Sequence, residues 1–364
     1  MNAWVLERPG ELRLGDIDMP VPGEGEVLVR VKAAGICGSD IPRAFVTGSH
    51  RMPMVIGHEF SGEVVDSGRR VAVFPLLPCM ECEACRDKKY ELCRHYNYLG
   101  SRCDGGFAEY VSVPEWNLMD IPDEVSYREA AMMEPMSVAA HAMRRTIDIK
   151  NADRNAIIVV YGLGTIGLLL TMLLVGEGFK NIFVIGNKEF QREQIVRLGI
   201  DESNYYDNVD IRRNSPTEES NEFDREAKKA ELNNWLLFNT AGHGADYVFE
   251  CVGKSETAEQ SVEMAAAEGR VMLMGNPYSD ITFSRNIYWK ILRNQLTLIG
   301  TWNSSYTKSE DDDWHYVMNA LKRGMIKPEQ LITHEFGMEA LFAGFEIMRD
   351  KSEPYIKIMM TADE

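Results

Sequence analysis

AIIVVYGLGTIGLLLTMLLVG, residues 156–176, decides the fold. Its first part is a short, continuous run of strand-forming residues, the mark of a strand buried on both faces. Gly162-Leu163-Gly164-Thr165-Ile166-Gly167 follows as a G-x-G-x-x-G, and TIGLLLTMLLVG reads as a helix. In that strand–turn–helix setting the first glycine allows a tight turn. The second lets a pyrophosphate approach the backbone, and the third lets helix and strand pack closely. The free N–H groups of the first helical turn then form an anion site. A plain glycine-rich turn is the alternative, which the flanking strand and helix disfavour.

Outward from this unit the pattern repeats. NIFVIGN (181–187), ADYVFECVG (245–253) and RVMLMGN (270–276) are further buried strands. KEFQREQIVRLG and SETAEQSVEMAAAEG read as helices between them, the first with a glycine stop. Strands alternating with helices predict a doubly wound parallel sheet. At the end of the second strand a dinucleotide site for NAD usually carries a carboxylate for the ribose diol. Gly186, Asn187 and Lys188 stand there instead. Lys188, with Arg192, suits a 2′-phosphate, so NADP(H) is favoured over NAD(H), with Glu189 as the alternative contact to NAD.

Residues before about 125 look different. VLVRVKA (27–33), RRVAVFPL (69–76) and FAEYVSVP (107–114) are short strands punctuated by Gly and Pro, which predicts a small β-rich domain. The charged, mostly acidic stretch from Asp201 to Glu231 reads as a solvated insertion, partly helical. DWHYVMNALKRG and EALFAGFEIMRD predict amphipathic helices in the tail.

The 364 residues suggest about two domains. A net charge of −17 argues against a nucleic-acid partner. The longest apolar run is shorter than the roughly 20 residues that span a bilayer, and no signal core opens the chain, so a cytoplasmic protein is expected. Of seven cysteines, Cys79, Cys82, Cys85 and Cys93 cluster as C-x-x-C-x-x-C-x₇-C. In a reducing compartment such a cluster more often holds a metal than forms bridges; a redox switch is the alternative. Cys103 and Cys251 stand apart as packing residues. GICGSD (35–40) offers Cys37, GHEFSGEV (57–64) offers His58 and Glu59, and MMEPMSV (132–138) offers Glu134. A thiolate, an imidazole and a carboxylate from distant segments suit a catalytic zinc with one open position. A buried cysteine, a core histidine and a helix-capping glutamate are the alternatives.

Taken together, AGICGSDIPR, IGHEFSGEV, PLLPCMECEAC, GSRCDGGFAEY, EPMSVAAHA and KILRNQLTLIGTW resemble the zinc-dependent medium-chain alcohol and polyol dehydrogenases over nearly the whole chain. Within that family the chain looks most like the branch acting on galactitol 1-phosphate. The resemblance implies an α/β protein: a GroES-like β-rich catalytic domain, residues 1–136 and 302–364, with an inserted Rossmann coenzyme domain, residues 137–301. It implies a catalytic zinc on Cys37, His58 and Glu134, with Glu59 as a further or alternating ligand. Cys79, Cys82, Cys85 and Cys93 then match the family's structural-zinc lobe, residues 78–95, giving two zinc ions per chain.

Ser39 matches the hydroxyl that starts the family's proton relay, while Pro42 falls where the alcohol dehydrogenases have the relay histidine. Trp302, Asn303 and Ser304 replace the Phe-Arg-Tyr run of sorbitol-type enzymes, and GEVVDSGRRVAV is shorter than the usual segment. Arg43 and Arg102 are the candidates for a substrate phosphate. The expected activity is hydride transfer between a secondary alcohol of a polyol or polyol phosphate and a nicotinamide. An alcohol, L-threonine or other sugar dehydrogenase is the alternative, and a non-catalytic nucleotide sensor the remote one. A homodimer or homotetramer is expected.

Overall fold

Strand Ile157–Tyr161 runs through the glycine turn into helix Thr165–Gly176, as its pattern predicts. The structure is a computed structural model that describes residues 1–208 and 222–362. Six parallel strands form one sheet. In spatial order they are Tyr205–Asp207, Asn181–Gly186, Ile157–Tyr161, Ala245–Glu250, Ala265–Leu273 and Thr297–Gly300. Chain order reverses between Ile157–Tyr161 and Ala245–Glu250. That is the switch point of a doubly wound sheet, where such folds bind nucleotides. Val159, Val184, Ile185, Val248 and Phe249 have lost almost all solvent contact, which is why these strands read as unbroken apolar runs.

Two expectations need correction here. The helix predicted over 255–269 ends at Met264, and Ala265–Leu273 is a strand. Ala265 lies opposite Ala245 in the neighbouring strand, so sheet pairing overrides the helix preference of three alanines. The charged insertion contributes strand Tyr205–Asp207 and helix Glu222–Asn239. The rest of it, residues 209–221, lies outside the described residues.

Contacts divide the chain into two units, Met1–Val138 with Asn303–Glu364, and Ala139–Trp302. The first is built on a seven-stranded sheet. Its central strand, Glu26–Ile36, pairs with Glu59–Val64, Tyr110–Pro114 and Lys357–Thr361. A three-stranded sheet of Glu11–Asp16, Asn2–Arg8 and Met54–Val55 accompanies it. Phe60, Phe107 and Phe345 fill the core, the last two ring to ring at 5.6 Å. The segment that reads short is a tight hairpin, closed by Gly68 N–H donating to Val64 C=O at 2.8 Å. Helices Asp313–Lys322 and Leu341–Asp350 form as predicted. The tail also supplies strands Ile332–Phe336 and Lys357–Thr361, which its local pattern does not announce. No described helix is long and apolar enough to cross a membrane.

Candidate active site

Register brings the first donors together. Strand Glu26–Ile36 ends one residue before Cys37, and Glu59 lies opposite Gly35 in the adjacent strand, just after His58. Ligand atoms of Cys37, His58 and Glu59 all lie within 4.8 Å of one another. Gly35 makes this approach feasible: a Cβ there would stand 2.5 Å from both Glu59 Oε2 and Lys357 Cε. Lys357 comes from the C-terminal strand, where Ile358 faces Ile36. Its buried ammonium donates to Ile36 C=O at 3.0 Å and pairs with Glu59.

Asp40 has no solvent exposure. Its Oδ2 accepts the Cys37 N–H at 3.0 Å, and its Oδ1 accepts from the Arg43 guanidinium. That Oδ1 also lies 3.4 Å from His58 Nδ1, a buried nitrogen that makes no hydrogen bond. Burial alone would lower the His58 pKa, but Asp40 and Cys37 outweigh it and hold it well above the ordinary value. Burial likewise opposes the Asp40 carboxylate, yet His58, Arg43 and the Cys37 N–H keep it below its usual range.

Glu134 sits in the first turn of helix Met133–Thr146, buried, outside the three-residue set. Its Oε1 accepts from the Tyr98 hydroxyl at 3.0 Å. Burial and the Glu59 charge push its pKa up to about 7, against His58 and Tyr98. A zinc ion requires a neutral imidazole, a thiolate and a carboxylate, so binding near neutral pH displaces protons from this cluster. The soft sulfur, the imidazole and two carboxylates fit zinc.

The other predicted residues divide. Ser39 Oγ donates to Cys37 Sγ at 3.4 Å. Pro42 closes the short helical turn Asp40–Pro42. Arg43 is bound to Asp40, so its charge is already matched. Arg102 lies over the Tyr96 ring at 4.3 Å, and no carboxylate among the described residues pairs with it. Trp302 is exposed and Ser304 buried.

In the cysteine lobe the Cys79–Cys85, Cys82–Cys85 and Cys82–Cys93 sulfurs are 3.9, 3.5 and 3.9 Å apart. Zinc–sulfur bonds of about 2.3 Å in a tetrahedron give edges of roughly 3.8 Å, whereas a disulfide needs about 2.0 Å. The four sulfurs therefore fit a closed tetrahedral ion. Backbone N–H groups lower Cys82 to about 6, while burial raises Cys85 to about 12. Cys103 is raised to about 11 and Cys251 well above its ordinary value, both first by burial, as suits unreactive packing thiols.

In the glycine turn the first and third glycines are sterically required. Gly162 has φ +99°, and a Cβ on it would meet Val252 Cγ2 at 2.5 Å. A Cβ on Gly167 would lie 1.9 Å from Gly162 O, so only glycine lets this helix pack so close. Gly164 caps the helix ahead of Thr165 and Ile166 and would meet nothing within 4 Å. That open cradle at a helix N-terminus fits a dinucleotide pyrophosphate. Gly186 is sterically required as well, because Gln191 Oε1 and the Tyr205 ring already lie 2.8 and 2.9 Å from its Cβ position. Asn187 N–H donates to Gln191 Oε1 at 3.0 Å, Lys188 lies over the Phe190 ring at 5.3 Å, and Arg192 pairs with Glu202 at 2.6 Å.

Residues 23–123 match the family described as alcohol dehydrogenase GroES-like domain, and residues 165–323 that of zinc-binding dehydrogenase. Galactitol 1-phosphate 5-dehydrogenase of Escherichia coli (strain K12) is 31% identical over 350 residues, covering 93% of this chain and 94% of its own. The chain belongs to the zinc-dependent medium-chain alcohol and polyol dehydrogenases. The crystal structure of galactitol-1-phosphate dehydrogenase from Escherichia coli superposes with TM-score 0.82 at 28% identity, covering 99% of this chain and 100% of that one. An alcohol dehydrogenase (rspB) of E. coli CFT073, solved with NADH, gives TM-score 0.83 at 27% identity, covering 99% of each. This dehydrogenase is thus an oxidoreductase of zinc- and nicotinamide-dependent type, acting on a small molecule.

Several residues that shape the dehydrogenase's sites are silent in its sequence. Asp40, Lys357 and Tyr98 adjoin the candidate ligands, and each looks locally like an ordinary polar or aromatic residue. Gln191, buried in helix Glu189–Arg197, donates to Leu163 C=O at 2.8 Å and so ties the second strand's end to the glycine turn. Glu250 ends the fourth strand. Its Oε1 accepts from Val252 N–H, Gly253 N–H and Thr257 Oγ1 at 2.9, 2.9 and 2.7 Å, fixing the loop beside that turn. A glutamate closing a buried strand was the one available signal.

Proposed function

We propose that the enzyme interconverts a secondary alcohol and a ketone on a polyol phosphate of the galactitol 1-phosphate type, with NADP(H) favoured over NAD(H). The convergence of Cys37, His58 and Glu59, with Glu134 beside them, carries this reading. Cys37, His58 and Glu134 hold the catalytic zinc, and Glu59, charge-balanced by Lys357, is the further or alternating ligand. Such an ion supplies Lewis acidity, which makes a substrate hydroxyl easier to deprotonate. The nicotinamide nucleotide, bound through the Gly162–Gly167 turn, supplies the hydride acceptor. Ser39 Oγ receives the hydroxyl proton, and Glu59 with water passes it on, because Pro42 has no group that carries one. Cys79, Cys82, Cys85 and Cys93 hold a second, structural zinc that orders their loop.

Arg43 is tied to Asp40, so the substrate phosphate is assigned to Arg102. Arg102 stacks on Tyr96, Tyr96 meets Tyr98 edge to face at 6.2 Å, and Tyr98 meets His58 at 5.9 Å. That ladder links a cation to the candidate metal centre through three successive ring contacts. The coenzyme's 2′-phosphate is assigned to Lys188 with Arg192, beyond the end of the second strand, where no carboxylate at Gly186 or Asn187 opposes it. A cytosolic homodimer or homotetramer completes the reading, on the family resemblance.

The test is nicotinamide reduction, followed by absorbance, with galactitol 1-phosphate and NAD⁺ or NADP⁺ in parallel. Turnover is expected with the phosphate ester and not with galactitol or sorbitol, and faster with NADP⁺. Arg102→Ala should raise KM for the ester about 10- to 100-fold with little change in kcat, since a contact remote from the reacting carbon contributes uniform binding worth about 1.5–3 kcal/mol. Equal turnover of galactitol and its phosphate would contradict the substrate assignment.

A further inference from the structure

We infer that Tyr98 and Asn303 are positioning residues that hold the Glu134 carboxylate in its metal-binding orientation through one hydrogen-bonded line. This rests on the reading of Glu134 as a zinc ligand. Glu134 has a long side chain with several rotatable bonds, and a metal site needs such a carboxylate fixed before the ion arrives.

The line begins at Tyr98, whose hydroxyl donates to Glu134 Oε1 at 3.0 Å and accepts from Asn303 Nδ2 at 3.4 Å. A phenol has a single proton. With the amide on its accepting side, that proton is directed to Glu134. The amide's orientation is set in turn, because Asn303 Oδ1 accepts the Ser304 N–H at 2.8 Å and leaves only the NH₂ end to face the phenol.

Asn303 adopts φ +56°. Few residues other than glycine enter this left-handed region, and asparagine is among those that tolerate it. Behind it, Ser304 Oγ accepts from Trp314 Nε1 at 3.1 Å, and both residues have no solvent exposure. The line therefore runs from a buried indole to a carboxylate at the candidate metal centre. The Tyr98 ring also meets the His58 ring edge to face, so one side chain braces two candidate ligands. Positions 98 and 303 are far apart in the chain, and no local motif marks either of them.

Zinc retention against a competing chelator, measured on the zinc-loaded full-length enzyme, tests this. Tyr98→Phe keeps the ring and removes the donor. It should release zinc from the Cys37–His58 site at about 10- to 100-fold lower chelator concentration, while the four-cysteine zinc is retained as in the wild type. Asn303→Asp keeps the acceptor for Ser304 N–H but replaces the amide donor with a carboxylate oxygen, which draws the phenol proton away from Glu134. It should reproduce the same selective loss. Tyr96→Phe should hold zinc normally, because that hydroxyl faces Arg102. If Glu134→Gln weakens zinc while Tyr98→Phe and Asn303→Asp do not, the positioning role is overturned and the ligand reading stands. If Glu134→Gln also retains zinc normally, the ligand reading fails and the inference falls with it.

Discussion

Cys37→Ser is expected to lower turnover by about a thousand-fold or more while leaving nicotinamide-nucleotide affinity unchanged. The thiol is one of three donors that strand register places within 4.8 Å, and a hydroxyl is a far poorer zinc ligand than a thiolate. Lewis-acid stabilisation is worth several kcal/mol, and each ~1.4 kcal/mol is a factor of ten in rate. Nucleotide binding should survive, because the Gly162–Gly167 turn and its helix contain none of these residues. Steady-state kinetics beside a nucleotide-binding titration separates the two. Wild-type turnover in the variant would remove Cys37 from the mechanism.

Lys357→Met should destabilise the fold by about 3–5 kcal/mol, the usual result of removing one partner of a buried ion pair. Lys357 and Glu59 side chains are each 2% exposed, so the remaining Glu59 charge is largely shielded from bulk solvent. The ammonium also satisfies the Ile36 carbonyl at the end of the central strand, and that contact is lost with it. Glu59→Gln in the same chain should recover most of the stability, since an uncharged pair has little to desolvate. Denaturant unfolding of the single and double variants measures both. A single variant within about 0.5 kcal/mol of wild type, the range of an ordinary surface substitution, would show that Glu59 is balanced by something else.

Much of the coenzyme unit was legible because its information is local. A buried strand, three spaced glycines and an apolar helix are adjacent in sequence, and each glycine has a steric reason within the same turn. The four-cysteine lobe was legible for the same reason. Cys37, His58 and Glu59 were also visible, through two short motifs that the central strands bring together. What stayed hidden is non-local. Lys357 meets Glu59 across most of the chain, in a short strand whose local sequence carries no clear alternation. Tyr98 and Asn303 meet in the same way, and nothing near either residue specifies the other. Residues 265–269 were misread because alanine favours helix locally, whereas pairing with the strand at Ala245 decides their conformation. Arg43 carries a related lesson: its partner, Asp40, is three residues away, but only the folded structure shows that the two are paired.

The central claim, that turnover depends on a metal held by this chain, is tested most directly by zinc content and polyol-phosphate oxidation measured on the same sample before chelation, after it, and after zinc is returned. The account predicts that activity falls with zinc occupancy to near zero and returns on reloading, while nucleotide binding persists throughout. Full turnover by zinc-free protein would contradict it.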